Sequence, residues 1–289
     1  MLTHVFSEIE PHQKERIIKA LQQSHFTVAY LGDGINDVAA INAADIGIST
    51  NNAVDVAKEA ADFVFLEKDL AVLADGVYEG RRSFANSMKY IFITTGATFG
   101  NMLSVACASL FLPFLPMLPK QILLTNLITD LPFLTIASDR VDDEQLMMPG
   151  KWNLKLIRNF MVIFGLHSTL FDLATFYILY YYFRLSESPF QTGWFLESAI
   201  TEILIVFIVR TRKNIVKSRP GKLLILASVA AFLIAIGLPL SPFAEILELS
   251  VAHFAQVTAI MFLLLVYVIT GEWIKRWFFR RSQCKPENT

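Results

Sequence analysis

A short loop near the start of the chain carries two carboxylates between two apolar runs. Residues 27–31 have the length and composition of a buried strand, and residues 38–44 predict a helix. The connection between them, 32–37, therefore lies where open α/β sheets bind their ligands. Within it, Asp33 and Asp37 offer oxygen ligands of the kind that Mg²⁺ accepts beside a phosphate, and Asn36 can reach the same place.

Glycines stand on both sides of the first of these carboxylates, as Gly32 and Gly34. A residue without a side chain permits a tight turn and a close approach of the backbone to a phosphate. The simpler interpretation is an ordinary turn that caps the following helix, because Gly, Asn and Asp are all common turn residues. The loop by itself leaves both interpretations open.

A second group of polar residues lies inside long apolar runs: Asn101, Asp130, Asp172 and Glu202. At a rise of about 1.5 Å per residue, each lies roughly 15 to 23 Å from an end of its own run, so the four share one depth. An ionisable group in hydrocarbon costs on the order of 2.5 kcal/mol or more, and it is tolerated mainly where it faces the interior of a helical bundle. We therefore predict that these four residues are ligands of a transported cation.

Asn126 and Thr129 extend this predicted site. Together with Asp130 they are spaced i, i+3, i+4, so they share one helix face. Pro132 cannot donate to the carbonyl of Ile128, which leaves that oxygen free for a cation. The alternative is that Asn126 and Thr129 form hydrogen bonds between helices and that the carboxylates serve packing.

Glu197, His167 and His253 are further candidates, but the sequence favours other positions for them. Glu197 is closer to the outer surface and is predicted to be peripheral. A packed or interfacial position is predicted for His167 and His253.

The apolar runs themselves indicate a membrane protein. Hydrophobic residues make up 54% of the chain and the net charge is −1, which excludes a basic surface for nucleic acid. Cys107 and Cys284 are too few for a disulfide framework, and the first thirty residues lack the apolar core of a signal peptide. Runs of about 20 apolar residues span a bilayer, and the sequence predicts six, at 88–112, 119–138, 157–183, 191–209, 222–240 and 252–274.

Basic residues predict the orientation of these spans. They are concentrated before the first span, in every second loop after it, and after the last span, whereas the opposite loops hold chiefly Lys120 and Arg184. By the positive-inside rule, the basic segments and both termini are cytoplasmic, on the side where ATP is available. The sequence thus predicts a multi-pass protein in contact with membrane lipid.

The loop from Gly32 to Asp37, with residues 10–14 before it and 45–48 after it, resembles the end of the phosphorylation domain of P-type ATPases. The resemblance continues through 60–64 and 79–82 into the membrane region. It implies a Rossmann-like, haloacid-dehalogenase-like fold in which Asp33 ligates the catalytic Mg²⁺ and Asp37 supports it. It also implies that Lys14 contacts an aspartyl phosphate and that ATP is the substrate of the complete pump.

Several motifs of this family do not occur in these residues. The Asp-Lys-Thr-Gly motif that carries the nucleophile and the Lys-Gly-Ala motif of the nucleotide site are both absent. The letters of the dephosphorylation loop recur at 270–272, but at the end of the last span, where we interpret them as chance. The chain therefore resembles the C-terminal part of a pump, and we expect it to be inactive alone and to need the upstream half as a partner. Met1 then marks an internal start, a cloning boundary or a truncated reading frame.

The resemblance also bears on the cation. Residues 126–130 are similar to a motif of calcium and sodium pumps. Gly100-Asn101, however, puts an amide where calcium pumps resemble each other in carrying Glu. The run 109–119, Phe171-Asp172, the run 193–195 and the run 210–213 look like the magnesium-transporting P-type ATPases, in which the matching Asn and two Asp, here Asn101, Asp130 and Asp172, are the natural ligands. Thr129 departs from that subfamily, where a Tyr would fit better. Transport of Ca²⁺, Na⁺ or H⁺, or a non-catalytic membrane subunit or remnant, are the alternatives.

The predicted architecture is a partial α/β domain followed by an all-α bundle. We expect the C-terminal portion of a phosphorylation domain at 1–80, six membrane helices at 81–280 and a cytoplasmic tail at 281–289. One helix is predicted to run from Leu70 through Lys89 into the first span. The resemblance implies a bacterial or archaeal plasma membrane.

Overall fold

The computed structural model describes residues 5–67, 69–147 and 149–283. The chain separates into two compact units, the first ending at Glu79 and the second beginning at Gly80. The first is a small α/β unit with a parallel sheet, and the second contains six helices long and apolar enough to cross a membrane, counted over the described residues. The predicted fold class is therefore confirmed. Of the predicted tail, residues 284–289, including Cys284, lie outside the described part of the chain.

A parallel sheet organises the described part of the first unit. Its strands are β1 (Ala29–Leu31), β2 (Ile46–Thr50) and β3 (Phe63–Phe65), in the order β1-β2-β3. The first strand begins two residues later than predicted. At that end of the sheet the Val28 N–H donates to the Asp45 carboxylate at 2.8 Å, and the Val28 carbonyl accepts from the N–H groups of Asp45 and Ile46.

Three short helices accompany the sheet: α1 (Pro11–Gln23), α2 (Val38–Ala43) and α3 (Asp55–Ala60). A small apolar cluster centred on Ile41, Ala53 and Ala57 packs α2 and α3 together. Gly47 allows α2 to lie close to β2, because a Cβ atom there would come within 2.6 Å of the Ile41 side chain. A 3-10 turn, Ile35–Asp37, leads from β1 into α2.

The membrane unit contains the six predicted spans. The helices are longer than the predicted runs at several ends, because polar residues continue the helix beyond the apolar part. One unbroken helix includes Leu70 to Ala108, as predicted, and it stops four residues early, before the proline-rich segment 109–118. The spans are α4 (Leu70–Ala108), α5 (Pro119–Thr135), α7 (Leu154–Phe176), α8 (Glu187–Val209), α9 (Lys222–Gly237) and α11 (Phe254–Gln283), with α6 (Asp143–Leu146) and α10 (Ala244–Leu247) in the loops.

The central helix of this bundle is α8. Its residues from Phe190 to Val209 are nearly all buried, and the buried set includes the polar residues Gln191, Glu197 and Glu202 among many apolar ones. Two apolar clusters contain residues of this helix: one includes Trp194 and Phe195, and the other includes Val206 and Ile208. This central position explains why polar residues of α8 lie inside the bundle rather than against lipid.

A buried ionic network joins one end of the bundle. The Asp139 carboxylate is fully buried and pairs with Lys89 of α4 and Arg210 after α8, each at 3.0 Å. Its other oxygen accepts the Gly221 N–H at 2.9 Å, and Asn86 donates to the Asp139 carbonyl. A single carboxylate therefore connects α4, the segment after α5, the end of α8 and the start of α9.

A second buried cation connects α11 to the same end of the bundle. Lys275 is fully buried and donates to the backbone carbonyls of Ile208 at 3.0 Å and Lys213 at 2.8 Å. It also forms an ion pair with Glu272 at 2.6 Å. Asp139, Lys89, Arg210 and Lys275 thus all have partners within the protein.

We expect Asp139→Asn to destabilise the chain by about 3 to 5 kcal/mol, because it leaves two buried cations without their counter-ion. The measurement is unfolding of the purified chain in detergent. Asp143→Asn, which neutralises an exposed carboxylate in the same loop, is the matched control and should change stability by no more than about 0.5 kcal/mol. Equal effects of the two variants would show that the network contributes nothing to stability.

Candidate functional site

The loop at the end of β1 is organised around Asp37. Its Oδ1 accepts hydrogen bonds from the Lys14 ammonium and the Tyr30 hydroxyl, both at 2.7 Å. Its Oδ2 accepts the Gly34 N–H at 3.2 Å. Residues from α1, β1 and the loop itself therefore hold one carboxylate in place.

These contacts change the ionisation of the group. Burial would raise the pKa of Asp37, but the hydrogen bonds from Lys14, Tyr30 and the Gly34 N–H outweigh it, so the pKa lies below its usual value. The hydrogen bond to Asp37 raises the pKa of Lys14. Asp37 therefore stabilises the fold above its unfolded pKa of about 3.9, and that contribution is lost as the pH falls through the lower folded value. The Lys14 contribution is present below about pH 10.4 and is lost as the pH rises through its folded pKa.

Gly32 is required by this arrangement for a steric reason. A Cβ atom at Gly32 would lie 2.5 Å from the Cβ of Asp37, so any side chain there would push the carboxylate away. The Gly32 carbonyl accepts a hydrogen bond from the buried Ser49 hydroxyl at 2.9 Å. Gly34 acts through its N–H group, and none of the described glycines has a positive φ. The two glycines thus shape the loop by close approach rather than by unusual backbone angles.

Asp33 differs from Asp37 in being exposed. Its carboxylate makes no hydrogen bond or ion pair with any residue that the structure describes, while its carbonyl accepts the Val54 N–H at 3.0 Å. A fixed backbone with a free carboxylate beside glycines suits a Mg²⁺ ion that keeps several waters and also binds phosphate. Asn36 is exposed on the same turn. The residues present fit the implied catalytic Mg²⁺: the Asp33 carboxylate is available to a metal ion, whereas Asp37 already accepts hydrogen bonds from three donors.

In the membrane unit, Asn101 and Glu202 meet. The Asn101 amide donates to Glu202 Oε1 at 2.6 Å, and the buried Thr129 hydroxyl also contacts the Glu202 carboxyl. Three helices, α4, α5 and α8, therefore contribute to one polar cluster inside the bundle. Asp130 is close enough to interact electrostatically with Glu202, although its own side chain is exposed.

Asp172 lies in a neighbouring cluster. It is 2% exposed, and it accepts hydrogen bonds from the Ser104 hydroxyl at 2.6 Å and the Trp194 indole N–H at 2.8 Å. Its carboxyl also contacts that of Glu197. The prediction that Glu197 is peripheral is wrong: the residue is 1% exposed, because α8 is surrounded by other helices along most of its length.

Close packing of α4 against α7 brings these clusters together. A Cβ atom at Gly100 would lie 3.1 Å from the Ser168 Cβ, and one at Gly165 would lie 3.3 Å from the Gly100 nitrogen. The Thr169 hydroxyl crosses the same contact and donates to the Gly100 carbonyl at 3.2 Å. Small residues at a helix crossing allow backbones to approach, and here the approach sets Ser104 against Asp172.

The three residues of α5 that are predicted to share one helix face, Asn126, Thr129 and Asp130, do not share one environment. Thr129 is buried, whereas Asn126 and Asp130 are exposed on the described surface. Asn126 lies at the edge of a cavity of about 90 Å³ that also includes Asn101, Thr125 and Ser198. The predicted common face is therefore divided between the interior of the bundle and its surface.

Of the two histidines considered for the membrane unit, His167 has a packed position, as predicted. That side chain is 7% exposed, contacts the Thr270 hydroxyl at 2.9 Å and lies against Tyr267 and Phe171. His253 is exposed, and its backbone N–H donates a hydrogen bond to the Gln256 side chain at the start of α11.

Among the described residues, no three His, Cys, Asp or Glu side chains form a cluster able to hold a metal ion by themselves. Cation binding in the membrane unit would therefore depend on pairs of carboxyls assisted by amide, hydroxyl or backbone oxygens. Ser104, Trp194 and Glu197 were missed by sequence reasoning. Two features of the sequence could have indicated them. Asn101 and Ser104 are spaced i, i+3 on one helix, and Glu197 lies on the same helix as Glu202.

Comparisons with known proteins agree with this architecture. Residues 114–277 match the family model of the cation transporting ATPase C-terminus, and residues 12–78 match that of haloacid dehalogenase-like hydrolases. The magnesium-transporting P-type ATPase 1 of Escherichia coli strain K12 is 41% identical over 96% of the chain, which spans 32% of that relative. A calcium-transporting ATPase of Bacillus subtilis is 30% identical over 82% of the chain, and a putative cation-transporting ATPase of Methanocaldococcus jannaschii is 31% identical over 76%. The chain spans about a third of the length of such relatives.

We expect Lys14→Met to raise the pKa of Asp37, because it removes a charge-assisted hydrogen bond that lowers this pKa. Titration of the side-chain ¹³C resonance of Asp37 between pH 2 and 7 measures the change. Asp45 is the internal control, since its pKa is lowered by the Val28 N–H and should be the same in both proteins. An unchanged titration of Asp37 would mean that Lys14 does not control its ionisation.

Proposed function

This chain belongs to the cation-transporting P-type ATPases, of which it is the C-terminal part, and we propose that it carries the ion pathway and part of the phosphorylation site of a pump. In the proposal, ATP hydrolysis by the complete pump drives Mg²⁺ across a membrane. The observation that supports this most strongly is the pair of polar clusters around Glu202 and Asp172, whose carboxyls are buried in the membrane unit. No described basic residue forms an ion pair with either one.

The choice of Mg²⁺ rests on chemistry and on the relatives. Carboxylate, amide and hydroxyl oxygens are hard ligands of the kind that Mg²⁺ prefers, and Asn101, Asp172 and Glu202 supply them from three helices. The relatives with 41% and 40% identity are named for magnesium transport. A calcium pump is the second candidate, because Asn101, Thr129 and Glu202 form one cluster and a relative named for calcium transport is 30% identical.

We assign the phosphoryl-transfer chemistry to the loop formed by residues 32–37. Asp33 would hold the catalytic Mg²⁺, which supplies charge neutralisation to the transferring phosphoryl group. Asp37, fixed by Tyr30 and Gly34, would keep Lys14 in position to contact the phosphoryl oxygens. Asn36 and the Gly32 and Gly34 backbone would border the same site. The nucleophile, the nucleotide site and the actuator would come from the upstream part of the pump.

The upstream part is also a proposed partner in the membrane. Asn126 and Asp130 are exposed on α5, where polar side chains facing lipid would be costly. Packing of upstream helices against this face would bring both residues into the pathway. The proposed location is a bacterial or archaeal plasma membrane with both termini in the cytoplasm, in accord with the distribution of basic residues.

In a full-length pump that contains these residues, we expect Asp172→Ala and Asp130→Ala to abolish Mg²⁺ transport, because each removes an anionic ligand from a site of low dielectric constant. Asn101→Ala removes a neutral ligand and should have a smaller effect. Asp33→Ala should also abolish transport, but by removing a ligand of the catalytic Mg²⁺.

Phosphorylation by inorganic phosphate separates the two classes. The membrane variants should still form the phosphoenzyme, whereas Asp33→Ala should not. Normal transport by Asp130→Ala and Asp172→Ala would show that these carboxylates serve packing, and would refute the proposed pathway.

We expect the isolated chain to form no phosphoenzyme from ATP, because covalent phosphoryl transfer requires a nucleophile that the family carries in its Asp-Lys-Thr-Gly motif. The measurement is incubation of the purified chain with γ-labelled ATP, followed by acid precipitation. An acid-stable, hydroxylamine-sensitive label would mean that another carboxylate acts as the nucleophile.

A further inference from the structure

The Glu197 carboxyl is buried, and one of its two oxygens has no hydrogen-bond partner among the described residues. The residue is 1% exposed, and its Oε2 atom accepts no hydrogen bond from any residue that the structure describes. Buried polar atoms almost always have a hydrogen-bond partner or a bound ligand. The Oε2 atom is therefore available to a ligand that the described protein groups do not supply.

A second carboxyl lies directly against it. Asp172 on α7 contacts Glu197 on α8, and the Ser104 hydroxyl from α4 approaches the same carboxyl at 2.6 Å. Two carboxylates in contact repel each other strongly where the dielectric constant is low. The contact between the two carboxyls is a hydrogen bond, which requires that one of them hold a proton. Since no described Lys, Arg or His forms an ion pair with either, a bound cation can take the place of that proton.

This pair is distinct from the cluster around Glu202. Glu197 precedes Glu202 by five residues on α8, which corresponds to about 7.5 Å along the helix axis. The Glu202 carboxyl is engaged by the Asn101 amide and the Thr129 hydroxyl, whereas Asp172 is engaged by Ser104 and Trp194. Different side chains therefore surround the two positions.

The charges also differ between the two positions. The Asn101–Glu202 cluster contains one buried carboxyl, with the exposed Asp130 nearby. The Asp172–Glu197 pair contains two, which together match the charge of a divalent cation, and the Ser104 hydroxyl oxygen adds a third hard ligand.

We propose that Asp172 and Glu197, with Ser104, form a divalent-cation site of their own, separate from the Asn101–Glu202 cluster. This inference rests on the proposed function and makes Glu197 a ligand for the transported ion. Trp194 positions Asp172 through its indole N–H, so its fluorescence should report when this site is occupied.

The test is Mg²⁺ binding to the purified chain in phosphatidylcholine nanodiscs, measured by equilibrium dialysis and by tryptophan fluorescence. All samples carry Asp33→Asn to remove the cytoplasmic ligand. Glu197→Gln keeps the shape of the side chain and should weaken binding at this site by at least about 100-fold while abolishing the fluorescence response. Glu202→Gln should keep that response.

Three further variants make the result specific. Trp194→Phe should retain Mg²⁺ binding but lose the signal, which assigns the signal to that residue. Glu197→Asp retains the charge and should recover part of the affinity, which separates loss of a ligand from misfolding. Glu245→Gln neutralises an exposed carboxyl in the loop before α11 and should bind like the parent.

The outcomes distinguish this inference from the proposed function. If the parent binds Mg²⁺ and Glu197→Gln binds it equally well with the same fluorescence response, the Asp172–Glu197 site does not exist, while the proposed function stands. Loss of all binding in both Glu197→Gln and Glu202→Gln would indicate one shared site and would also overturn the inference. A parent that binds no Mg²⁺ would overturn the inference, whereas the proposed function concerns the complete pump and is tested separately by the transport assay.

Discussion

Charge inside an apolar bundle must be compensated, and the membrane unit does so differently at two places. At one end, Asp139 is paired with Lys89 and Arg210, so the charges are satisfied by the protein itself. In the layer of Asp172 and Glu202, the structure describes no basic partner. Removing a counter-ion from a buried charge is costly, so the first arrangement stabilises the fold and the second has the character of a binding site.

Helix packing creates the second arrangement. Gly100 and Gly165 allow α4 and α7 to approach, and Gly193 allows α8 to approach the end of α7, where a Cβ atom would lie 2.7 Å from the Leu179 side chain. The end of α7 widens there into a π-helix, Tyr177–Tyr182, a feature often found near functional sites. These contacts bring carboxyls from separate helices into one region of the bundle.

Much of the architecture could be predicted because it depends on local pattern. Apolar length identifies six spans, and the resemblance of residues 32–37 and their flanks to a family motif identifies the loop around Asp33. The burial of Glu197 could not be predicted, because depth along a helix says nothing of which neighbours surround it. The ion pairs of Asp139 could not be predicted either, since its partners Lys89 and Arg210 lie 50 and 71 residues away in the chain. Sequence reasoning therefore describes the elements better than the contacts between them.

The central claim is that a divalent cation binds among α4, α7 and α8. It is tested most directly by a structure of the full-length pump with Mn²⁺ in place of Mg²⁺, using anomalous scattering to locate the metal. The account predicts an anomalous peak within about 2.3 Å of carboxyl oxygens of the buried layer, at Asp172 or Glu202. Metal found only at the cytoplasmic loop, with the buried carboxyls bonded solely to protein groups, would contradict it.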